Sequence, residues 1–193
     1  MKNYTFGLKM DKKKLKAHLH ECLRYEVMMS SKSFSWLRTI HKAFKCPERR
    51  YHFWWRIASY LYKTDKSQYI AKRINRSISL KYGTEIQLPA YIGPGMIISH
   101  HHGIVINGAA IIGKSFRIRQ NVTIGISGSS KNNTSPSIVI GDNVEIGANS
   151  CLISDSLKIG NNVTIGAMSF INKDVPDNCT VFTKRTNEII IKS

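Results

Sequence analysis

The sequence has few acidic residues, few cysteines and no long apolar run, and each shortage narrows the class of protein. Only 12 Asp and Glu stand against 29 Lys and Arg, so the 193-residue chain carries a formal net charge of +17. No run of eighteen apolar residues and no secretory signal pattern occur, so we expect neither a membrane-spanning helix nor an exported chain. The four cysteines are far apart and include no Cys-x-x-Cys pair, which favours free thiols in a cytoplasmic protein.

The positive charge is concentrated in the first half of the chain. Residues 1–85 hold 20 Lys and Arg and 6 Asp and Glu, a net charge of +14, whereas residues 86–193 hold 9 and 6, a net charge of +3. A surface of this kind attracts an acidic polymer or an anionic membrane, so the inner face of the membrane is a second expected location. Nucleic acid is not an expected partner, because the cations are scattered and no recognition signature accompanies them.

From Ile86 to Pro176 isoleucine recurs every six residues, usually followed by glycine. This period fits neither a helix nor a plain strand, but it fits a coil with three flat sides of six residues each. The apolar residue then points inward from every side, and small or polar residues occupy the corners. The sequence therefore predicts a mainly β fold, a parallel β-helix over residues 83–193, after a basic α-helical domain over residues 1–82.

Interruptions of the period mark two places where a site could lie. The step from Ile98 to Ile106 is eight residues, and the two extra residues lie beside His100, His101 and His102. The step from Ile124 to Ile140 is sixteen, which predicts an extruded loop over residues 126–137. A rigid scaffold that is interrupted beside a histidine cluster and again by a loop is typical of a functional site.

Four helices are predicted before the solenoid, at about residues 11–27, 34–44, 48–62 and 66–78, with Asp11 as the first N-cap. The third is rich in aromatic residues and has two interpretations. It could lie in a membrane interface, with Arg49, Arg50, Arg56 and Lys63 reaching phosphates. We favour the alternative, in which this helix packs on the solenoid or on a neighbouring subunit.

The solenoid contains three consecutive histidines and no others. Histidine suits a general base near neutral pH, but neighbouring side chains on a strand alternate in direction, so at most two of the three can face one cleft. Zinc is an alternative that we do not favour, because three consecutive histidines cannot surround one ion tetrahedrally. We expect no metal.

The segments YGTEIQLPAYIGPGMIISHHHGIVING, RIRQNVTIG, IGDNVEIGANS and NNVTIGAMSFINKDVPDN resemble the serine acetyltransferase branch of the hexapeptide-repeat acyltransferases, and most nearly the colanic-acid and capsular polysaccharide O-acetyltransferases. The resemblance covers about residues 79–178. It implies a left-handed parallel β-helix, a homotrimer and acetyl-CoA as the donor.

The resemblance also assigns roles to individual residues. His100 matches the family's catalytic base in the His-x-x-Gly-Ile-Val turn, and the neighbouring acceptor-site candidates are Ser99, His102 and Asn107. The positions that correspond to coenzyme A contacts are Ala148, Ala167, Asn172 and Lys173. The family's closing Gly-x-Pro-Ala-Arg turn is replaced here by residues 182–185, where Lys184 or Arg185 could take over a phosphate contact, and residues 188–191 are predicted to form a short closing strand. Serine acetyltransferase has Asp where this chain has Ser99, and it has a second histidine where this chain has Thr134-Ser135-Pro136.

These departures remove the groups that recognise free serine in that family. The sequence therefore predicts an acetyl-CoA-dependent O-acetyltransferase that acts on a bacterial surface polysaccharide, with an acidic polysaccharide or a lipid-linked oligosaccharide as acceptor and peripheral membrane contact as a further option. The alternatives are serine O-acetyltransferase and a non-catalytic basic binding module.

Overall fold

A computed structural model describes residues 11–128 and 137–184 as a helical segment followed by a parallel β-solenoid of about four coils. The helical elements are α1 (Lys12–Leu23), a π-helical turn (Arg24–Met28), α2 (Trp36–Lys45), a 3₁₀ turn (Pro47–Arg49), α3 (Arg50–Lys63) and α4 (Gln68–Tyr82). The strands are β1 (Thr84–Ile86), β2 (Tyr91–Ile92), β3 (Ile97–Ile98), β4 (Ile104–Ile106), β5 (Ala110–Ile112), β6 (Arg117–Ile118), β7 (Thr123–Gly125), β8 (Ser137–Ile140), β9 (Glu145–Ile146), β10 (Cys151–Ile153), β11 (Ser156–Ile159), β12 (Thr164–Ile165), β13 (Phe170–Ile171) and β14 (Thr180–Val181).

Three parallel sheets form the sides of the solenoid, and each complete coil adds one strand to each sheet. The first sheet has the order β1-β4-β7-β10-β13, the second β2-β5-β8-β11 and the third β3-β6-β9-β12-β14. Residues of the isoleucine period stack in register; Ile106, for example, pairs with both Ile86 and Ile124. These side chains fill the interior of the solenoid, so the parallel β-helix and the inward-facing isoleucines are confirmed.

Strand register also confirms both interruptions. Ile98 pairs with Ile118 and Ile106 with Ile124, so eight residues of one coil face six of the next beside the histidines. Ile112 pairs with Ile140 and Ile124 with Leu152, so the chain between β7 and β8 has about ten residues more than a regular side. Residues 129–136 of the predicted loop, Arg185 and a predicted strand at 188–191 lie outside the described residues.

The predicted helices exist, with shifted ends. The helix expected over 66–78 continues to Tyr82, where Gly83 ends it with a φ of 62°. Asp11 precedes α1 as expected, but its side chain makes no capping hydrogen bond. Within the described residues no helix is long and apolar enough to cross a membrane.

Helix α3 covers the first coil by donating hydrogen bonds to that coil's carbonyl groups. Alternate carbonyls of each coil accept amides of the coil before it, as Ile112 O accepts the Gly93 amide, so the corresponding carbonyls of the first coil have no preceding strand to pair with. The donors from α3 are Tyr51 to Thr84 O (3.4 Å), Trp55 to Ile86 O (3.1 Å), Arg56 to Ile92 O (2.6 Å) and Gly93 O (2.9 Å), Ser59 to Leu88 O (3.5 Å), and Lys63 to Ala90 O (2.6 Å). A terminal repeat of a solenoid needs such a cap.

A buried ion pair fixes the rest of the helical segment to this cap. The Arg56 guanidinium donates to both oxygens of Glu26 at 2.6 and 2.8 Å, and the same carboxylate accepts from the amides of Gly95 and Met96. The idea that Arg56 and Lys63 reach lipid phosphates is therefore wrong, since both side chains bind inside the protein. The aromatic helix packs on the solenoid, as the favoured interpretation held.

Candidate active site

Two corners of the solenoid border the first sheet, and they carry different predicted site residues. The histidine edge, where the third sheet passes into the first, comprises residues 99–103, 119–122, 147–150, 166–169 and 182–184. The loop edge, where the first sheet passes into the second, comprises residues 87–90, 107–109, 126–128, 154–155 and 172–174 of the described chain. The width of the first sheet separates the two edges within one chain.

The turn that carries the histidines is held by main-chain bonds to the helices and to the second coil. The Ser99 amide donates to Ile118 O (3.1 Å), and the His102 amide donates to Tyr82 O (3.1 Å). His102 has a φ of 77° and Gly103 one of 69°, a left-handed pair that accommodates the two extra residues. A Cβ on Gly103 would collide with the Asn121 side-chain oxygen, and the φ of 69° favours glycine, so this residue lets the turn close on the coil that follows without displacing Asn121.

His101 points into the protein and contacts the helices. One of its ring nitrogens lies 3.0 Å from the Thr84 hydroxyl, and its ring lies 4.8 Å from that of Tyr51 and 5.0 Å from that of Tyr82. Burial, with smaller contributions from His52 and His102, lowers the pKa of His101 to about 4. His101 is therefore neutral at pH 7 and anchors the turn.

His100 and His102 are left as the exposed imidazoles of the turn, together with exposed Ser99. The alternation expected from the sequence is thus observed, because one histidine of three faces inward. His100 is placed at the surface of the histidine edge, where its imidazole is accessible to a substrate.

Two of the residues matched to coenzyme A contacts stack on the same edge. The Met168 amide donates to Ala148 O (2.8 Å), which brings the turn containing Ala167 directly over the turn containing Ala148. Lys184 is exposed just beyond β14, where the chain leaves the third sheet towards the same edge. His100, Ala148, Ala167 and Lys184 therefore lie along one corner of the solenoid.

Asn107, Asn172 and Lys173 lie on the loop edge instead. The Asn107 side-chain oxygen accepts the Ala109 amide at 2.9 Å, so this residue shapes its own turn. Asn172 and Lys173 are exposed in the turn after β13. Within one chain the structure does not bring these three residues to His100.

Several residues that support the histidine turn were not predicted. Gly83 is one of them, because a Cβ at that position would lie 2.8 Å from the His102 ring nitrogen and 3.2 Å from His102 Cα. Thr84 and Tyr51 are the others, since both contact His101. The Tyr82-Gly83 pair was a visible signal for a helix end, but nothing in the sequence links it to His102.

The alternative of a metal centre depends on the arrangement of the side chains that could act as ligands. Within residues 11–128 and 137–184, no group of three or more His, Cys, Asp or Glu side chains is arranged to hold an ion.

A parallel solenoid with six-residue sides is the fold of hexapeptide-repeat proteins. No family model matches the chain. Serine acetyltransferase of Helicobacter pylori (strain ATCC 700392 / 26695) is 32% identical over 117 residues, which cover 52% of this chain and 68% of that protein. Putative colanic acid biosynthesis acetyltransferase WcaB of Escherichia coli (strain K12) is 41% identical over 111 residues, or 58% of this chain and 66% of the relative. The solved structure of soybean serine acetyltransferase complexed with serine aligns with a TM-score of 0.67 and 25% identity, over 88% of this chain and 67% of that one.

The chain therefore belongs to the hexapeptide-repeat acyltransferases, in the serine acetyltransferase branch. It matches only part of several relatives: the similarity to chloroplastic serine acetyltransferase 1 of Arabidopsis thaliana, 35% over 100 residues, spans 31% of that protein's length.

Proposed function

We propose that this protein transfers an acetyl group from acetyl-CoA to a hydroxyl group of a bacterial surface-polysaccharide sugar, in a capsule or an O-antigen. Its family supports acetyl transfer, and its relatives include both serine acetyltransferases and a colanic acid acetyltransferase. The observation that carries the choice of acceptor is Ser99, which precedes His100 where the serine acetyltransferase motif has Asp. A neutral hydroxyl at this place cannot pair with the ammonium group of free serine.

His100 is the proposed general base. It would remove the proton of the acceptor hydroxyl as the hydroxyl oxygen attacks the thioester carbonyl carbon, and it would return that proton to the departing thiolate. Main-chain amides of the edge would stabilise the oxyanion that forms on the carbonyl oxygen. The exposed position of His100 supports this role, whereas His101 is already engaged by Thr84 and two tyrosine rings.

The histidine edge also suits the donor. Ala148 and Ala167 are small and stacked, so a thin pantetheine arm could lie against the main chain there. Lys184 at the end of the same edge could meet a phosphate group of the nucleotide. Asn172 and Lys173, which were matched to the nucleotide end, would have to come from the loop edge of another subunit.

We propose a homotrimer for this reason. The predicted site residues divide between two edges of one sheet, and a complete cleft forms when the loop edge of one subunit meets the histidine edge of the next. Light scattering should give three times the 21.9 kDa of the chain. A monomeric mass at working concentration would contradict the proposal.

Mixing of inactive variants tests whether the cleft is shared. His100→Ala and Lys173→Ala trimers should each be impaired, and co-refolded mixtures should regain activity, because some clefts then combine an intact histidine edge with an intact loop edge. Mixtures no more active than the parent variants would show that both residues act within one chain or not at all.

The central test is His100→Ala, assayed with acetyl-CoA and a polysaccharide acceptor. We expect the rate to fall about 10²–10⁴-fold with the unfolding midpoint unchanged. His102→Asn is the matched comparison from the same turn, with a smaller expected loss. Wild-type rates in the His100 variant, or a larger loss at His102, would show that His100 is not the base.

Free L-serine is the acceptor of the second candidate, serine O-acetyltransferase, which the relatives support equally. Robust turnover of L-serine by the wild-type protein would favour that candidate and overturn the polysaccharide proposal. Failure to bind coenzyme A at millimolar concentration would instead favour a non-catalytic binding module.

Charge supports an acidic polymer or a lipid-linked oligosaccharide as acceptor. Lys12, Lys13, Lys14 and Lys16 are all exposed on α1. Their attraction for an acidic acceptor would be screened within about 8 Å at physiological salt, so acetylation of the polymer should fall with ionic strength while acetylation of a short neutral oligosaccharide changes little. A cytoplasmic location remains a prediction.

A further inference from the structure

Helix α2 exposes a row of large apolar side chains, although the first of them, Trp36, has ring contacts with Phe34 and His20. Trp36, Leu37, Ile40 and Phe44 form this apolar arc, with Leu37 83% exposed and Phe44 63% exposed. A helix turns by about 100° per residue, so these four side chains occupy a continuous arc of about 100°. Thr39 and Ala43 are the buried residues of α2, and they lie outside the arc.

A basic arc lies directly beside the apolar arc on the same helix. It consists of Arg38, His41, Lys42 and Lys45. A shallow, open depression at its border is lined by Met28, Ser30, Lys32, Leu37, Arg38, His41 and Lys42. The depression is therefore lined by three cations, Lys32, Arg38 and Lys42, and by the apolar side chains of Met28 and Leu37.

Carboxylates do not neutralise this surface. In the described part of the chain, no ion pair joins Lys32, Arg38, Lys42 or Lys45 to an acidic residue. Residues 24–50 contain two glutamates; Glu26 is buried against Arg56, and Glu48 lies 3.6 Å from Arg49. The surface is thus apolar and positive. It has no negative group that could pair with the cations of the same surface on a second copy of the chain.

The helix is firmly attached to the protein. The Arg50 guanidinium donates to Ala43 O (3.2 Å) and Phe44 O (2.6 Å) at the end of α2, and Arg49 donates to Val27 O (3.0 Å). Ala43 belongs to a buried cluster with Leu19, Leu23, Val27 and Phe53. The exposed arc is therefore a fixed surface of the folded protein.

We propose that α2 docks this protein on an anionic lipid bilayer. The apolar arc would enter the boundary between headgroups and acyl chains, and Lys32, Arg38 and Lys42 would hold lipid phosphates at the depression, which is the arrangement of an interfacial helix. Charge complementarity selects this occupant, because two copies of the surface would repel each other. The proposal adds a location to the proposed function but does not depend on acetyl transfer.

Vesicle flotation with the full chain tests the proposal. Vesicles of phosphatidylcholine with phosphatidylglycerol should carry the wild-type protein, vesicles of phosphatidylcholine alone should carry much less, and 0.5 M salt should release most of the bound fraction. Each cation near the surface contributes about fivefold to binding, so Arg38→Gln with Lys42→Gln should weaken binding about 25-fold. Lys72→Gln with Arg73→Gln on α4, both exposed, is the charge-matched control and should change binding less than about twofold.

Apolar contact is tested by Leu37→Ser with Phe44→Ser, which should reduce the partition coefficient more than about tenfold. Leu80→Ser with Tyr69→Ser is the matched control, since Leu80 is 78% and Tyr69 73% exposed on α4, and it should bind as the wild type does. Acetylation of a small soluble acceptor should be unchanged in all four variants, which separates failure of docking from failure of the enzyme.

Three results would overturn the proposal. The wild type could fail to float with anionic vesicles, the α2 and α4 variants could lose binding equally, or the α2 apolar variant could lower the oligomeric mass without altering flotation. The last result would assign the arc to a second copy of the chain.

Discussion

Helices α2 and α3 are both amphipathic and basic, yet one is exposed and the other is the most deeply buried helix of the segment. Helix α3 has more aromatic residues, and Tyr51 and Trp55 are fully buried. Their polar atoms, with the guanidinium of Arg56, donate to carbonyls of the first coil. No comparable set of donors joins α2 to a described coil. The helix that lies against the solenoid is the one whose side chains donate to the unpaired carbonyls of the first coil. Its aromatic content alone does not determine this position.

Among substitutions that compare the two helices, Arg56→Met on α3 should lower the free energy of unfolding the most. It leaves the Glu26 carboxylate buried without its partner, which typically costs about 3–5 kcal/mol. Arg38→Met on α2 should change the free energy of unfolding by less than about 0.5 kcal/mol. Urea unfolding of both variants at one protein concentration gives the comparison, and equal losses would mean that the ion pair does not anchor the helical segment.

Trp55→Phe should have an intermediate effect. A phenyl ring remains in place of the larger indole, but Ile86 O loses its donor, and an unpaired buried acceptor alone costs about 1–3 kcal/mol. Trp36→Phe on α2 is the matched control, and its expected change is within about 0.5 kcal/mol. A loss at Trp36 as large as that at Trp55 would contradict the assignment of α2 as the uncovered helix.

Acid should weaken the contact between the histidine turn and α3 by a smaller amount. The folded-state pKa of His101 is about 4 against an ordinary value of 6.5, so between these values the unfolded chain binds a proton that the folded protein does not. Stability is therefore complete above pH 6.5 and is lost as the pH falls towards 4. Allowing for solvent around the ring, the slope is at most about 1 kcal/mol per pH unit.

His101→Gln should flatten that slope in urea unfolding series from pH 4 to pH 8. Some slope should persist, because burial together with the charges of Arg56 and Lys63 also lowers the pKa of His18 to about 4. An unaltered slope in the variant would show that His101 does not titrate against the helical cap.

The sequence was sufficient for features that depend on neighbouring residues. The isoleucine period predicted the inward face of the sheets, and its interruptions located the histidine turn and the long connection after β7. Helix ends were predicted to within two residues, if the π-helical turn after α1 is counted with that helix, except at α4, where Gly83 rather than Ile78 ends the helix. Local pattern determines these features because each coil pairs only with its neighbours.

Features that join distant residues could not be predicted in this way. The Arg56–Glu26 pair joins residues 30 positions apart. The sequence around an arginine does not show whether its side chain will be buried or exposed. The sequence assigns no role to His101, because its contacts come from Tyr51 and Tyr82, which are distant along the chain. Lys173 and His100 are separated because they lie at opposite edges of the first sheet. The spacing of residues in the sequence does not reveal which edge a turn occupies.

The main-chain groups at the outer side of the first coil have a consequence for how large the molecule can become. Alternate carbonyls of a coil face the coil before it, as Ile112 O faces the Gly93 amide, and the first coil has no coil before it. A bare first coil would be a template for the last coil of another molecule, and repeated stacking would give a fibre. Because Trp55, Arg56 and Lys63 already occupy those carbonyls, α3 acts as a terminator that keeps the protein a discrete particle.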